Sequence, residues 1–158
     1  MHREVLIAEA DFNQNDVVTT IRKRNPTGIG GLVTFTGLVR EHNMVTGDAS
    51  RVATLTLEHY PGMTEASIDR IIDHAEGRWP LLEVQVIHRV GQLCPSDQIV
   101  LVAVASAHRA AAFAAAEFIM DCLKTEAVFW KKEHTHLGEH WVQSTDTDEQ
   151  RRERWSQS

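Results

Sequence analysis

Only two cysteines occur among the 158 residues, Cys94 and Cys122, in no CxxC arrangement and with no histidine at zinc-finger spacing. That excludes a disulfide framework and a zinc-finger module, and leaves two reduced thiols that pack as small apolar groups. No apolar run reaches the roughly 18 to 20 residues that a membrane-spanning helix needs. The longest, residues 103–116, is interrupted by His108 and Arg109. Met1-His2-Arg3-Glu4 leads into a short apolar segment with Glu9 behind it, which is not a signal-peptide pattern, so a cytoplasmic location is expected. A basic excess is missing too. With 16 Lys and Arg against 22 Asp and Glu the formal net charge is −6, which argues against a general nucleic-acid binder. No internal repeat and no linker divides the chain, so one domain with one core is expected.

What is present alternates between two periodicities. Residues 3–8, 32–40, 51–59, 82–90 and 98–106 read as strands, the last nearly all apolar and therefore buried on both faces. In the second of these Val33, Phe35 and Val39 share a side, and Gly37 marks a bulge or a close backbone approach. Asn13 or Asn15 caps a helix through Val17, Val18 and Ile21. Thr64 and Ser67 precede another with the stripe Ile68, Ile71, Ile72 and Ala75. Ser106 is the expected cap of a long Ala-rich helix over 107–125. Residues 41–50 and 134–140 read as loops, 128–130 as a short extended segment, and Trp141-Val142 as a last strand. The domain is expected over 1–143, with a polar, mobile tail at 144–158 in which Trp155 stands out. Strands adjacent in sequence more than once imply an α+β fold with a mixed or antiparallel sheet and helices packed on it.

Against the acidic average, four short segments gather the cations that sit beside apolar structure. They are Leu38-Val39-Arg40 at a strand end, His108-Arg109 at a helix start, Lys124 near that helix's end, and Lys131-Lys132-Glu133 beyond it. Lys124 alone reads as a partner for the negative end of the helix dipole. His108 and Arg109 at the positive end make electrostatic sense if an anion binds there. His134, His136 and His140 have no carboxylate or cysteine at a settled metal-ligand spacing and read as a solvated loop.

Taken in order, VTFTGLVR (33–40), LEHYPGMTE (57–65), HRVG (88–91), SAHRAAAF (106–113) and LKTEAVFWKKE (123–133) closely resemble the large, catalytic subunit of molybdopterin synthase. The resemblance spans roughly residues 5–142. It implies an α+β hammerhead fold and a homodimer that binds one small ubiquitin-like subunit at each end, giving a heterotetramer. It implies a sulfurtransferase acting on cyclic pyranopterin monophosphate, the sulfur coming from the small subunit's C-terminal thiocarboxylate and the product being molybdopterin. It implies no permanently bound cofactor and no protein-bound metal. Carried over by motif, the substrate pocket falls on Leu38, Val39, Arg40, His108, Arg109, Lys124, Lys131, Lys132 and Glu133, with Lys124 and Lys131 catalytic. Phe35, Met120, Phe129 and Trp130 are candidate walls, with core packing the competing role.

The chemistry suits those residue types. A cyclic phosphate and a thiocarboxylate are both anions, so joining them calls for several fixed cations. Arg40 and Arg109 suit forked phosphate contacts. A lysine among other cations has its pKa lowered and can move protons near neutral pH, while His108 can orient or relay. The chain departs from the family pattern at Cys122, Ser96 and Val128. A C-terminal arginine that crosses the dimer in relatives has no clear counterpart, Arg151, Arg152 and Arg154 being the candidates. Two other readings compete. One is a non-catalytic docking subunit for a ubiquitin-like carrier, which would have no need of this cluster. The other is a CoA-dependent acyltransferase, for which no Gly-rich pyrophosphate loop follows a strand.

Overall fold

The segment QIVLVAVAS is apolar at nearly every interior position, so it is stable only between two covering layers, and it forms the centre of the fold. In the computed structural model, which describes residues 1–41, 52–135, 137–142 and 146–157, the strands and helices follow one another in mixed order. They are β1 (His2–Ala8), α1 (Gln14–Arg24), β2 (Gly31–Leu38), β3 (Val52–His59), α2 (Met63–Glu76), β4 (Glu83–Arg89) and β5 (Gly91–Leu93). Then come β6 (Gln98–Ser106), α3 (Arg109–Thr125), β7 (Phe129–Thr135), β8 (Gly138–Val142) and α4 (Asp146–Glu153), ending in a 3-10 turn (Arg154–Gln157).

Two four-stranded sheets result, with orders β1-β4-β6-β2 and β5-β3-β7-β8. Among the described residues only β1 and β4 run parallel, and every other pairing is antiparallel. The fold is α+β, as the sequence pattern predicts. On β6 the alternate residues Leu101, Ala103 and Ala105 pack under Val17 and Ile21 of α1, while Val100, Val102 and Val104 face the main core of α2, α3 and the second sheet. α1 is capped by Asn13, whose side chain accepts from the N–H groups of Asn15 and Asp16. Its C-terminal end is tied to β4, where the fully buried Glu83 carboxylate accepts from Arg24, Asn25 and Gln85.

Four structural details depart from the sequence expectations. Ser106 does not cap α3. It ends β6 and donates to the Pro80 carbonyl, and His108 is the N-cap with no side-chain bond. Residues on either side of position 136, read as a loop, instead pair as the antiparallel ladder β7–β8, because alternation across Phe129–Thr135 gives one buried and one outward side. β5 is a short strand on the edge of β3, too brief to leave a periodic signal. The polar C-terminal stretch, read as a mobile tail, forms α4 and the 3-10 turn packed on α3. The loop expected at 41–50 lies, apart from Glu41, outside the described residues.

That C-terminal packing rests on one buried carboxylate. Asp121 of α3 accepts from Arg151 Nε (3.1 Å), Arg154 (3.2 Å) and Trp155 Nε1 (2.8 Å). The Trp155 ring sits edge-on to Trp79 and Phe118, and Arg152 pairs with Glu126 at 2.6 Å. All three arginines considered for a cross-dimer contact are therefore engaged on the chain's own α3. Asp121→Ala removes three acceptor contacts at a buried group and is expected to lower stability by about 1–3 kcal/mol. A shifted urea midpoint should report this, together with faster amide exchange across α4 than across β6.

Candidate active site

β7 creates the site through its alternation. Its register on β3 sets Leu57 opposite Lys131 and Leu55 opposite Glu133, both leucines being buried, so Phe129, Lys131 and Glu133 turn inward. Trp130 and Lys132 turn outward. Lys132 pairs with Glu139 at 2.7 Å and lies over the Trp141 ring. Two buried hydroxyls anchor the start of β7 to α2. Thr64 Oγ1 donates to the Val128 carbonyl (2.6 Å), and Val128 N–H donates to Ser67 Oγ (3.3 Å). The residues expected to precede α2 lie inside it and serve as this joint.

The inward side of β7 faces a cavity of about 420 Å³. The end of β2 supplies Phe35, Leu38 and Val39, followed by Arg40. The register shifts between Gly37 and Leu38, and Gly37 is required there because a Cβ would lie 2.7 Å from Val100 Cγ1. α3 supplies Met120 and Lys124, and β7 supplies Phe129, Lys131 and Glu133. The structure thus brings Leu38, Val39, Arg40, Lys124, Lys131 and Glu133 to one cavity, walled by Phe35, Met120 and Phe129.

His108, Arg109 and Lys132 do not line this cavity. Gly31 packs against Arg109 where β2 begins, at the end of the sheet remote from Arg40, and fifteen helical residues place Arg109 roughly 22 Å from Lys124. His134 accepts no loop role: it hydrogen-bonds Thr56 and pairs with Glu139 at 3.0 Å. Among the described residues no group of three His, Cys, Asp or Glu side chains is placed to hold a metal ion. Cys94 is exposed; Cys122 is buried, and burial, with Glu126 second, pushes its thiol up to about 12, so it is inert packing.

Two ionisable lining residues escaped the sequence reading, His88 of β4 and Asp148 of α4. A signal for His88 exists: it is the polar member of the buried alternation Val84, Val86, His88. Asp148 has none, since it arrives only through the docking of α4.

The electrostatics are those of a site for anions. Neither Lys124 nor Lys131 donates a hydrogen bond or forms an ion pair with any described residue. Burial, then the Lys124 ammonium, lowers Lys131 to about 8, and the charges of Asp148 and Glu133 only partly compensate. His88 is held neutral, down at about 3, by burial first and then by the Lys131 and Lys124 charges, against the opposing hydrogen bond to Arg89.

An α+β domain with Lys124, Lys131 and Arg40 at one cavity has the charge to receive an anion there. Comparison with known proteins narrows this to a family. The profile of the family described as MoaE protein matches residues 7–126. The molybdopterin synthase catalytic subunit of Escherichia coli strain K12 is 56% identical over 152 residues, covering 96% of this chain and 97% of that protein. The same-named subunit of Ralstonia nicotianae is 52% identical over 151 residues, 96% of this chain and 83% of that protein. The solved molybdopterin biosynthesis MoaE protein of Burkholderia ambifaria superposes with a TM-score of 0.82 at 47% identity, over 99% of each chain. The chain belongs to the MoaE family.

The lowered Lys131 has a consequence for stability. Its pKa falls from 10.5 unfolded to about 8 folded, so folding releases this proton between those values. The unfolded chain binds more protons there, and the penalty present below pH 8 is relieved as the pH rises through that window. Lys131→Met should therefore flatten the rise of unfolding free energy between pH 8 and 10, measured by urea titration at each pH. Lys124→Met should move the Lys131 midpoint upward, read from the pH dependence of amine acylation.

Proposed function

We propose that this chain is the catalytic subunit of a molybdopterin synthase, a cytoplasmic sulfurtransferase that converts cyclic pyranopterin monophosphate to molybdopterin. The sulfur donor is the thiocarboxylated C-terminus of a small ubiquitin-like subunit. The observation that carries the reading is the pair of ammonium groups, Lys124 and Lys131, at the wall of one cavity with no ion pair to any described residue. A charge withdrawn from solvent without pairing, as at Lys131, is costly, and an anionic reactant supplies the missing partner. No group beyond the two reactants is needed in the cavity, and the pterin is substrate rather than resident cofactor.

In each transfer the thiocarboxylate sulfur displaces a substrate oxygen to form a thioester, which water then hydrolyses to release the tail as a carboxylate and leave the sulfur on the substrate. Two such transfers build the dithiolene. Lys124, at the end of α3, acts on the thiocarboxylate carbonyl as the cation that stabilises developing oxyanion charge. Lys131, poised near neutrality, binds substrate and moves the proton that the departing oxygen requires. Arg40 holds phosphate through its planar fork, and Glu133 keeps Lys131 from losing its proton altogether. His108 and Arg109 reach this chemistry only if a second copy brings the start of its α3 alongside, as in the homodimer implied by the family resemblance. Lys132, facing outward, serves the outer surface rather than the cavity.

The decisive experiment mixes the purified chain with a thiocarboxylated small subunit and cyclic pyranopterin monophosphate. Dithiolene product is expected in the full mixture and in no control lacking one component. Lys124→Ala should lower the single-turnover rate by about 10² to 10⁴-fold. A rate within a few-fold of the parent would remove Lys124 from the chemistry, and a full mixture without product would leave only a docking role.

A further inference from the structure

The cavity contains one polar group that the charge argument leaves unused. His88 is only 6% exposed, yet its ring forms part of the cavity wall. Nδ1 lies 2.9 Å from the carbonyl oxygen of Arg89. A carbonyl only accepts, so Nδ1 carries the hydrogen, and in the neutral ring Nε2 is left as a bare acceptor. The neutral form is enforced by burial and by the two lysine charges, which keep the imidazole unprotonated throughout the ordinary pH range. The tautomer and the charge state are thus both determined by the surroundings.

The ring is also held in place. It stacks on Phe129 with centroids 3.9 Å apart and planes at 25°. Phe129 is the first residue of the strand that carries Lys131. Among the described residues nothing donates to Nε2. The buried acceptor at the start of β4 behaves differently: the Glu83 carboxylate accepts from Arg24, Asn25 and Gln85. Buried acceptors are rarely left empty, because each carries its full desolvation penalty. An empty one in the wall of a reaction cavity points to a donor that arrives with the ligand.

We propose that His88 Nε2 is the hydrogen-bond acceptor for a neutral N–H or O–H donor on the substrate's ring system. The cavity is then divided by chemistry. Arg40, Lys124 and Lys131 hold the anionic parts of the reactants, while His88 reads a nitrogen heterocycle that those cations cannot distinguish from any other phosphate ester. A lysine or arginine at position 88 would offer only donors, so the acceptor has to be a neutral side chain. The assignment rests on the proposed function for the identity of the heterocycle.

The test is calorimetric titration of the full-length chain, without the sulfur donor so that nothing turns over, using two probes. His88→Phe preserves the stack on Phe129 and deletes the acceptor; His88→Gln restores a neutral carbonyl acceptor. For cyclic pyranopterin monophosphate, H88F should raise Kd about tenfold and H88Q should recover most of that loss. For inorganic phosphate, the Kd of H88F should equal that of the parent. In the parent protein, which does not depend on the folding of any variant, the 15N resonance of His88 Nε2 should move on saturation with the pterin and stay still with phosphate. A parent-like pterin Kd in H88F, an equal loss for both probes, or a stationary Nε2 resonance overturns the assignment. Failure of the parent to bind the pterin at all overturns the proposed function instead, so the two failures are told apart.

Discussion

Holding the partly buried ammonium group of Lys131 beside that of the exposed Lys124 is the constraint around which the rest of the molecule is arranged. Lys131 is largely withdrawn from solvent among Phe129, Met120 and the end of β2, with Lys124 close enough to lower its proton affinity. A carboxylate in direct contact would relieve the repulsion, but it would also occupy the position an anion must take. Instead Glu133, two residues along the same strand, and Asp148, from α4, act on Lys131 through space without an ion pair within bonding distance. The result is a lysine whose folded pKa lies near 8, charged enough to attract an anion and labile enough to give up its proton.

The secondary structure that meets this constraint is economical. One register, β7 on β3, turns Lys131 and Glu133 inward and Lys132 outward, so neighbouring residues in the same basic motif have different surroundings. α3 crosses the domain as a stiff beam. Ala111, Ala112, Ala115 and Ala116 are buried and let it lie close to the first sheet and α2. The beam fixes Lys124 over the cavity at one end and carries His108 and Arg109 far away at the other. Segments that look like one cluster in sequence order thus occupy two places on the surface of a single chain.

Much of this is legible in the sequence, for identifiable reasons. β6 declares itself by uninterrupted apolar residues, α2 by the stripe Ile68, Ile71, Ile72 and Ala75, and Gly37 by standing alone in a β-branched strand. Arg40, Lys124, Lys131 and Glu133 were recognisable through short motifs, and the wall residues Phe35, Met120 and Phe129 through their neighbourhood to those motifs. What escaped depends on distant contacts. The β7–β8 hairpin carries charged residues on both faces, Lys131 and Glu133 inward and Lys132 outward, so it lacks a clean apolar alternation until pairing is known. α4 has no apolar stripe and is held by arginines reaching Asp121, Glu117 and Glu126, a pairing that composition cannot reveal. Asp148 reaches the cavity only as a passenger of that helix, and the separation of His108 and Arg109 from Lys124 follows from the length of α3.

The fastening of α4 has a consequence for the conditions under which the protein works. This helix contributes Asp148 to the cavity wall, yet it is joined to α3 chiefly by arginine–carboxylate pairs whose arginines are half-exposed. Such pairs weaken as dissolved ions shorten the reach of each charge, to about 8 Å at physiological ionic strength and about 3 Å in molar salt. Ionic strength therefore acts on the site twice: small anions compete for Lys124 and Lys131 directly, and screening loosens the helix that closes one side of their cavity. The enzyme's sensitivity to salt is set by an ion-paired surface as much as by the pocket that the surface encloses.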